Sequence, residues 1–287
     1  MKISVVIPVY NEHERIRECI ESILKNTKKP FEVIVADGGS EDRTVEIAGS
    51  FPGVKVLENP ERTAAAGRNV GIRNARGEII AFTDGDCIVD QNWLSSIQKC
   101  FEEHPELDGL RGRIVPVRTD NRYEAYWNHL AWELLMQFGD QPYVIRERGL
   151  DRSLITANCA YRRKMLCKVK GFSRWFGNNA EDVDLTWRVL DQGATLMYDP
   201  APLVYAHGVT TLKGIAKKSF RNGISSSKLQ KKYGQRINYD ISIYQMLGSN
   251  LLGVLQGKQD AALNVVELVC HLQGKYWGSL KYKVINI

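Results

Sequence analysis

The segment IIAFTDGDCIVD, residues 79–90, is a short apolar run that ends in two carboxylates separated by one glycine. Residues 79–82 are too few for a helix and are bounded by glycines, which is typical of an interior strand. Asp84 and Asp86 therefore follow the carboxyl end of that strand. In an extended chain, residues two apart project to the same side, so we expect both carboxylates to face one ligand.

The first hundred residues alternate strands with helices. Strands are predicted at residues 3–10, 31–37, 53–59 and 78–84, and helices at residues 12–26, 40–50 and 63–75. Short apolar strands joined by helices indicate an α/β fold with a predominantly parallel central sheet covered by helices on both faces. Ligands of such sheets bind beyond the carboxyl ends of the strands.

Three of the predicted strands end at that edge in residues of distinct kinds. The first ends in Pro8, Tyr10 and Glu12, the second in Asp37, and the fourth in Asp84 and Asp86. An aromatic ring, a carboxylate beside glycines and a carboxylate pair together resemble a site for a nucleoside and its phosphates. For Asp37 the alternative is a turn with a helix cap, which any α/β protein needs.

Asp84 and Asp86 also form a candidate metal site. Two hard oxygen ligands suit Mg²⁺ or Mn²⁺, which complete their coordination with water and substrate phosphate oxygens. A cation there would neutralise charge on a departing nucleoside diphosphate. The alternative is an ordinary Asp-Gly turn that closes a loop.

A second pair of acidic residues, Glu181 and Asp182, begins a helix predicted over residues 180–193. Carboxylates in a first helical turn interact favourably with the helix dipole, so a capping role is one explanation. The other is catalytic, because the pair follows a glycine- and asparagine-rich loop in which Trp175 could line an acceptor pocket. Consecutive helical residues point about 100° apart, so only one of the two can address a given atom.

Four segments, VVIPVYNE, VADGGSEDRT, AAAGRNVGIRNARGEIIAFTDGD and NNAEDVDLTWRVLDQG, occur in this order. At these separations they resemble the family 2 inverting glycosyltransferases, which use nucleotide sugars and have the GT-A fold. The resemblance covers residues 1–210 and implies a GT-A catalytic domain there. Within it, residues 1–110 would bind the nucleotide sugar and residues 111–210 the acceptor.

The resemblance also implies roles for individual residues. Pro8, Tyr10, Glu12 and Asp37 would hold the nucleoside, and Asp84 and Asp86 match the D-x-D motif that binds Mn²⁺ or Mg²⁺ and the donor diphosphate. Asp182 matches the catalytic base, with Glu181 and Trp175 on the acceptor side. Many members have two adjacent aspartates where this chain has Asp37-Gly38, so both UDP- and GDP-sugars stay open as donors.

Two further residues are candidates with structural alternatives. Arg68, in the GRN segment, is a candidate partner of the donor base or phosphates, and the alternative is an ordinary surface arginine. His207 ends a late predicted strand and is a candidate metal or diphosphate contact, although lone histidines of this kind are often structural.

The charge of the chain is uneven. The net charge is +6 over 287 residues, of which residues 211–287 contribute +9 and residues 1–210 contribute −3. An acidic body with a basic tail disfavours a nucleic-acid-binding protein. We expect residues 211–287 to form a basic helical C-terminal extension, broken near Gly223, that contacts an anionic membrane surface. The alternative is a solvated helix packed on the catalytic body.

The expected location is cytoplasmic, with peripheral contact on the inner face of the cell membrane, because no signal-peptide pattern or apolar run of spanning length is found. The six cysteines lack paired spacing and are predicted to be free, mostly buried thiols. The expected acceptor is a hydroxyl or phosphate on a lipid-linked molecule or a surface glycan. Two alternatives are nucleotidyl transfer to a sugar phosphate and a non-catalytic membrane-docking module with a nucleotide pocket.

Overall fold

The computed structural model describes residues 1–135, 139–150, 152–234, 242–258 and 260–284. The strands are β1 (Ile3–Val9), β2 (Glu32–Asp37), β3 (Val54–Glu58), β4 (Ile79–Phe82), β5 (Cys87–Val89), β6 (Leu107–Pro116), β7 (Tyr143–Ile145), β8 (Cys159–Arg162) and β9 (Thr195–Ala206). The helices are α1 (Ile16–Leu24), α2 (Thr44–Gly49), α3 (Ala64–Asn74), α4 (Trp93–Glu103), α5 (Arg122–Leu135), α6 (Arg163–Lys168), α7 (Glu181–Leu190), α8 (Leu212–Tyr233), α9 (Ser242–Leu255) and α10 (Ala261–Tyr282).

The strands form one mixed sheet in the order β3-β2-β1-β4-β8-β6-β9-β5, with β7 paired to β9. Strands β1 to β4 are parallel, and β6 and β9 are parallel to each other. β8 lies antiparallel between β4 and β6, and β5 and β7 each lie antiparallel to β9. The predicted α/β fold with a large central sheet is confirmed, and the sheet is parallel over β1 to β4 and mixed beyond them. Because β1, β2 and β4 run the same way, their carboxyl ends share one edge.

Helix α3 packs unusually close to strand β1. A Cβ atom on Gly71 would lie 2.2 Å from Val6 Cγ1, and one on Gly67 would lie 3.2 Å from Pro8 Cβ. Only glycine allows this approach of helix to strand. Together with buried residues such as Ile34 and Phe82 on the strands, this packing fixes α3 beneath the edge of the sheet where the candidate residues lie.

The chain divides into two compact units. The first comprises Met1–Val117 and Trp132–His207, and the second comprises Arg118–Ala131 and Gly208–Ile287. The second unit therefore contains the predicted C-terminal extension together with part of α5. Its small apolar core includes Tyr126, Ile215 and Leu263. Residues 235–241, 259 and 285–287 of the predicted extension lie outside the described part of the chain.

The predicted break near Gly223 is wrong, because α8 continues through it from Leu212 to Tyr233. A Cβ atom on Gly223 would lie 2.1 Å from the carbonyl oxygen of His271, and one on Gly274 would lie 2.0 Å from that of Phe220. These glycines allow the backbones of α8 and α10 to touch. Gly223 thus serves helix packing, and we call α8 and α10 the helix pair.

Within the described ranges, no helix is both long enough and apolar enough to cross a bilayer. All six cysteines are free, as predicted. Cys19, Cys87, Cys100 and Cys159 are buried, whereas Cys167 is exposed. The cysteines therefore contribute packing rather than covalent cross-links.

Candidate active site

Asp37 closes the loop at the end of β2. Its carboxylate accepts hydrogen bonds from the backbone N–H of Gly39 at 2.9 Å and of Ser40 at 3.0 Å, and from the Ser40 hydroxyl at 2.5 Å. The Ser40 hydroxyl oxygen in turn accepts the N–H of Asn11, which follows β1. The buried Asp37 therefore orders the two loops that follow β1 and β2. This is the structural role that was the alternative to nucleoside binding.

Asp84 and Asp86 lie in a turn rather than in an extended segment. The N–H of Cys87 donates to the carbonyl oxygen of Asp84 at 3.1 Å, which closes a four-residue turn between β4 and β5. The predicted extended geometry of this pair was wrong, because β4 ends at Phe82. The turn still lies at the carboxyl end of β4, where the parallel strands of the sheet terminate together.

Glu12 lies beside the turn that carries these two aspartates. Its side chain packs over Gly85, since a Cβ atom on Gly85 would lie 3.3 Å from Glu12 Cγ. Burial, followed by repulsion from Asp86 and then from Asp84, raises the pKa of Glu12 to about 8, against an opposing effect of Arg15. Three acidic side chains therefore meet at this edge, and a pKa of about 8 keeps Glu12 largely protonated at neutral pH.

Arg68 connects this acidic group to the start of α7. Its Nη2 donates to Asp84 Oδ1 at 2.7 Å and its Nη1 donates to Glu181 Oε1 at 2.7 Å. The Arg68 side chain is only 4% exposed, so the alternative of an ordinary surface arginine is wrong. The buried guanidinium of Arg68 therefore binds two carboxylates, and Glu181 lies 113 positions after Arg68 in the sequence.

The segment before α7 also caps the beginning of α3. Asn178 Oδ1 accepts the N–H of Ala64 at 2.7 Å, and the carbonyl oxygen of Gly177 accepts the N–H of Ala65 at 3.0 Å. These bonds satisfy N–H groups that a helix N-terminus leaves unpaired. The loop that carries the predicted acceptor residues is thereby fixed to the helix that carries Arg68.

Asn69 forms a second connection that the sequence analysis did not identify. Its side-chain amide donates to the carbonyl oxygen of Phe172 at 2.8 Å and accepts the N–H of Phe172 at 2.8 Å. The Phe172 ring also lies 5.6 Å from the Arg68 guanidinium. Asparagine is disfavoured inside helices, so its position in the middle of α3 was the signal that could have revealed this contact.

Glu181 is buried at the first position of α7. Only one of its carboxylate oxygens has a partner, because Oε2 is buried without one. Burial raises the pKa of Glu181 to about 7 despite the opposing charge of Arg68, and the neighbouring Asp182 adds to the rise. The structure thus places Glu181 in the interior beside Arg68, and its predicted role on the acceptor side stays a prediction.

Asp182 is half-buried at the next position of α7. Its Oδ1 accepts the N–H of Val183 at 2.8 Å. Burial is the largest influence and raises the pKa of Asp182, the N–H of Val183 and Arg68 oppose the rise, and Asp84 adds to it. Asp84 is thus among the groups that act on Asp182, and the role of Asp182 as catalytic base stays a prediction.

The other candidates lie around this group with different exposure. Tyr10 is 51% exposed and Trp175 is 42% exposed, with the Trp175 ring edge-on to Phe176 at 5.0 Å. Pro8 is half-buried against α3. The N–H of His207 donates to the carbonyl oxygen of Asp86 at 3.2 Å, so His207 is adjacent to the turn through its backbone. Tyr10 and Trp175 thus each expose about half or less of an aromatic side chain to solvent.

We define the carboxylate rim as Glu12, Asp37, Asp84, Asp86, Glu181 and Asp182. Within the described ranges, no group of three or more His, Cys, Asp or Glu side chains is arranged to hold a metal ion. The chemistry of Asp84 and Asp86 nevertheless fits Mg²⁺ or Mn²⁺, which need only one or two carboxylates besides substrate phosphates. After burial, repulsion from Asp86 and then Asp84 contributes to the raised pKa of Glu12, and a cation bound by these aspartates would offset that repulsion.

The pattern that defines glycosyl transferase family 2 matches residues 4–169. The chain belongs to glycosyltransferase family 2. The glycosyltransferase AglE of Haloferax volcanii is 42% identical over 233 residues, which are 77% of this chain and 71% of AglE. The pre-mycofactocin glycosyltransferase of Mycobacterium tuberculosis is 30% identical over 229 residues, 77% of this chain but 46% of that protein. Sugar transfer is therefore the reaction class of this family 2 member.

Solved structures agree on the fold. S. aureus TarS residues 1–349, crystallised in complex with UDP, superposes with a TM-score of 0.57 at 18% identity and covers 96% of this chain and 91% of that one. A second crystal structure of TarS residues 1–349 gives a TM-score of 0.55. At this identity the likeness shows the architecture of the family 2 member, and it agrees with the predicted GT-A fold.

Proposed function

We propose that this family 2 enzyme transfers a sugar from a nucleotide-sugar donor to a hydroxyl or phosphate of an acceptor, with inversion at the anomeric carbon. The observation that carries the proposal is Arg68, which joins the donor-side Asp84 to the acceptor-side Glu181 next to Asp182. The donor carboxylates and the candidate base thus belong to one connected site. The UDP in the TarS crystal supports UDP-sugars as the first donors to test, with GDP-sugars as the alternative.

Asp182 is proposed as the general base. It would accept the proton of the acceptor hydroxyl while that oxygen attacks the anomeric carbon from the face opposite the nucleoside diphosphate. The bond from the anomeric carbon to the diphosphate oxygen breaks, and its electron pair leaves with the diphosphate. The raised pKa of Asp182 supports this role, because a more basic carboxylate takes a proton more readily.

The remaining residues of the rim have binding roles in this proposal. Asp84 and Asp86 would hold Mn²⁺ or Mg²⁺, with His207 as a further ligand, and a bound cation supplies neutralisation of diphosphate charge. Pro8, Tyr10, Glu12 and Asp37 would hold the nucleoside. Trp175 would stack against the acceptor, because its exposed ring offers the flat apolar surface that sugars and lipid-linked groups contact.

We also propose that the acceptor is lipid-linked or a surface glycan and that residues 211–287 contact an anionic membrane surface. The excess of +9 in that segment supports this part of the proposal. Such a segment attracts the negative headgroups of a cytoplasmic leaflet.

A donor panel tests the reaction. Purified protein is incubated with UDP- and GDP-sugars, with Mn²⁺ or with a chelator, and release of nucleoside diphosphate is measured. The proposal expects release from one nucleotide class that depends on the cation. Pyrophosphate release from a nucleoside triphosphate and a sugar phosphate would instead indicate nucleotidyl transfer, and nucleotide binding without release would indicate a docking module. The anomeric configuration of the product, read by NMR, tests inversion.

A further inference from the structure

An aromatic patch lies near the end of α10. Tyr276 and Trp277 are each 55% exposed, and Leu280 is 60% exposed. Residues three and four apart are neighbours on a helix surface, so these side chains form one continuous patch. We call Tyr276, Trp277 and Leu280 the aromatic patch. A contiguous exposed patch of large apolar side chains indicates an interaction surface, whereas single exposed side chains do not.

Lysines surround the same end of the helix pair. Gly223 packs against Gly274 and Ser227 packs against Gly278, so α8 and α10 run parallel and their last turns lie side by side. Exposed lysines occupy those turns and the residue that follows α10: Lys231, Lys232, Lys281 and Lys283. The interhelical bond from Ser227 Oγ to the carbonyl oxygen of Lys275, 3.1 Å long, fixes this alignment.

The last turns of α8 and α10 carry basic but no acidic side chains. Neither α8 nor residues 268–284 contain aspartate or glutamate. The charge that these two helix ends contribute around the aromatic patch is therefore positive. A surface of this kind is complementary to one that is negatively charged over a broad area.

We propose that the aromatic patch and its lysines dock this protein on an anionic lipid bilayer. Tryptophan and tyrosine rings favour the headgroup region, where one part of the ring is in an apolar setting and the other in water. Lysine stems lie along apolar surface while their charges reach the phosphates. The patch is a convex helix ridge, which a deformable lipid surface accommodates. This inference rests on the proposed membrane contact and names the side chains that make it.

Co-sedimentation of the full-length protein with vesicles tests the proposal. Phosphatidylcholine vesicles are compared with vesicles that contain about 30% phosphatidylglycerol, near the charge of an anionic leaflet. Wild type should bind the anionic vesicles and lose binding as salt is raised. The variant Tyr276→Ser/Trp277→Ser/Leu280→Ser should bind at least about tenfold more weakly, because it lacks the apolar side chains that would be buried in the bilayer.

The chain offers a matched control on α9, where Leu251, Leu252 and Leu255 are also exposed. The variant Leu251→Ser/Leu252→Ser/Leu255→Ser removes a similar apolar area from a helix end without aromatic residues. It should bind anionic vesicles as wild type does. A second variant, Lys231→Gln/Lys232→Gln/Lys281→Gln, keeps the aromatic patch and should lose the salt-sensitive part of binding. Circular dichroism verifies that each variant is folded.

Several outcomes would overturn the inference. The patch variant could bind vesicles as strongly as wild type, or wild type could bind neutral and anionic vesicles equally. Vesicle binding could be lost only in the α9 variant, or the patch could mediate self-association without any vesicle binding. Release of nucleoside diphosphate without vesicles should be unchanged in all three variants. If the protein binds anionic vesicles but releases no nucleoside diphosphate, the docking surface is supported and the proposed reaction is refuted. Failure of the docking proposal is therefore distinguishable from failure of the proposed reaction.

Discussion

The carboxylate rim and the helix pair use opposite means to hold backbone segments together. At the rim, charged side chains do so, as when Arg68 bridges Asp84 and Glu181 with two bonds of 2.7 Å. In the helix pair, the absence of side chains at Gly223 and Gly274 lets two backbones touch. The rim is therefore sensitive to the loss of charge, and the helix pair is sensitive to added volume.

This difference also separates function from shape. Burial, followed by repulsion between neighbouring carboxylates, raises the pKa of Glu12, Glu181 and Asp182, and shifted carboxylates are typical of catalytic sites. In the helix pair, glycines and serines make the contact between α8 and α10, Lys275 is buried, and the lysines near the two C-terminal ends are exposed. We expect substitutions in the two regions to fail in different ways.

Replacement of Arg68 should have the largest effect. Arg68→Gln leaves Glu181 buried without its cation, so the free energy of unfolding should fall by about 4 kcal/mol at pH 8. The loss of Arg68 raises the pKa of Glu181 further above its value in the unfolded chain. The folded state then loses stability as pH rises, so the defect should be smaller at pH 6. Urea denaturation at both pH values measures this.

Arg43→Gln is the control, since Arg43 pairs with Glu46 on the surface of α2. Exposed pairs contribute well under about 1 kcal/mol. Equal losses in the two variants, or a defect at Arg68 that does not change with pH, would contradict the bridging role.

Asp182→Asn should reduce the transfer rate by about 10²-fold or more, which corresponds to about 3 kcal/mol in the activation barrier. Donor affinity should be retained, because the amide has almost the shape of the carboxylate but cannot take the proton. The measurements are kcat and the dissociation constant for the nucleoside diphosphate. Asp191→Asn, at the other end of α7 and paired with Arg148, should keep the wild-type rate. Wild-type turnover by Asp182→Asn would remove it from the role of base.

Gly274→Ala adds one methyl group where the helix pair has no room for it. The new Cβ would meet the carbonyl oxygen of Phe220 at 2.0 Å, so we expect a loss of about 2 kcal/mol in unfolding free energy. Gly49→Ala at the end of α2, where nothing lies within 4 Å of the new Cβ, is the control and should cost nothing. Thermal denaturation of both variants compares them, and equal stability would show that α8 and α10 can separate without cost.

The smallest expected effect is a loss of stability at acidic pH. Burial, and then repulsion from Lys275, lowers the pKa of His271 in the helix pair to about 4. The unfolded chain therefore binds a proton at a pH where the folded chain does not, and stability should fall as pH decreases from about 6.5 towards 4. Amide hydrogen exchange in α10 should accelerate between pH 7 and 5.5 after correction for intrinsic rates, equivalent to about 1 kcal/mol. His271→Gln should remove this dependence, and its persistence in that variant would assign it to another group.

The local pattern of the chain determined a large part of the fold. Apolar runs with period-two or helical spacing predicted β1 to β4, α1 to α3 and the helix that begins at Glu181, because these elements depend on nearby residues. The parallel order of the strands then placed Asp37, Asp84 and the residues after β1 at one edge. The family was also evident in the sequence, since its motifs combine residues whose spacing is local.

Only the tertiary structure decided features that depend on partners far apart in sequence. The antiparallel strand β8 between β4 and β6 and the continuous path of α8 through Gly223 each depend on a neighbour contributed by a distant segment. The same holds for Arg68, which in sequence is one arginine among many. Its burial between two carboxylates exists because close glycine packing brings α3 under the sheet edge, and no short segment of sequence encodes such a contact.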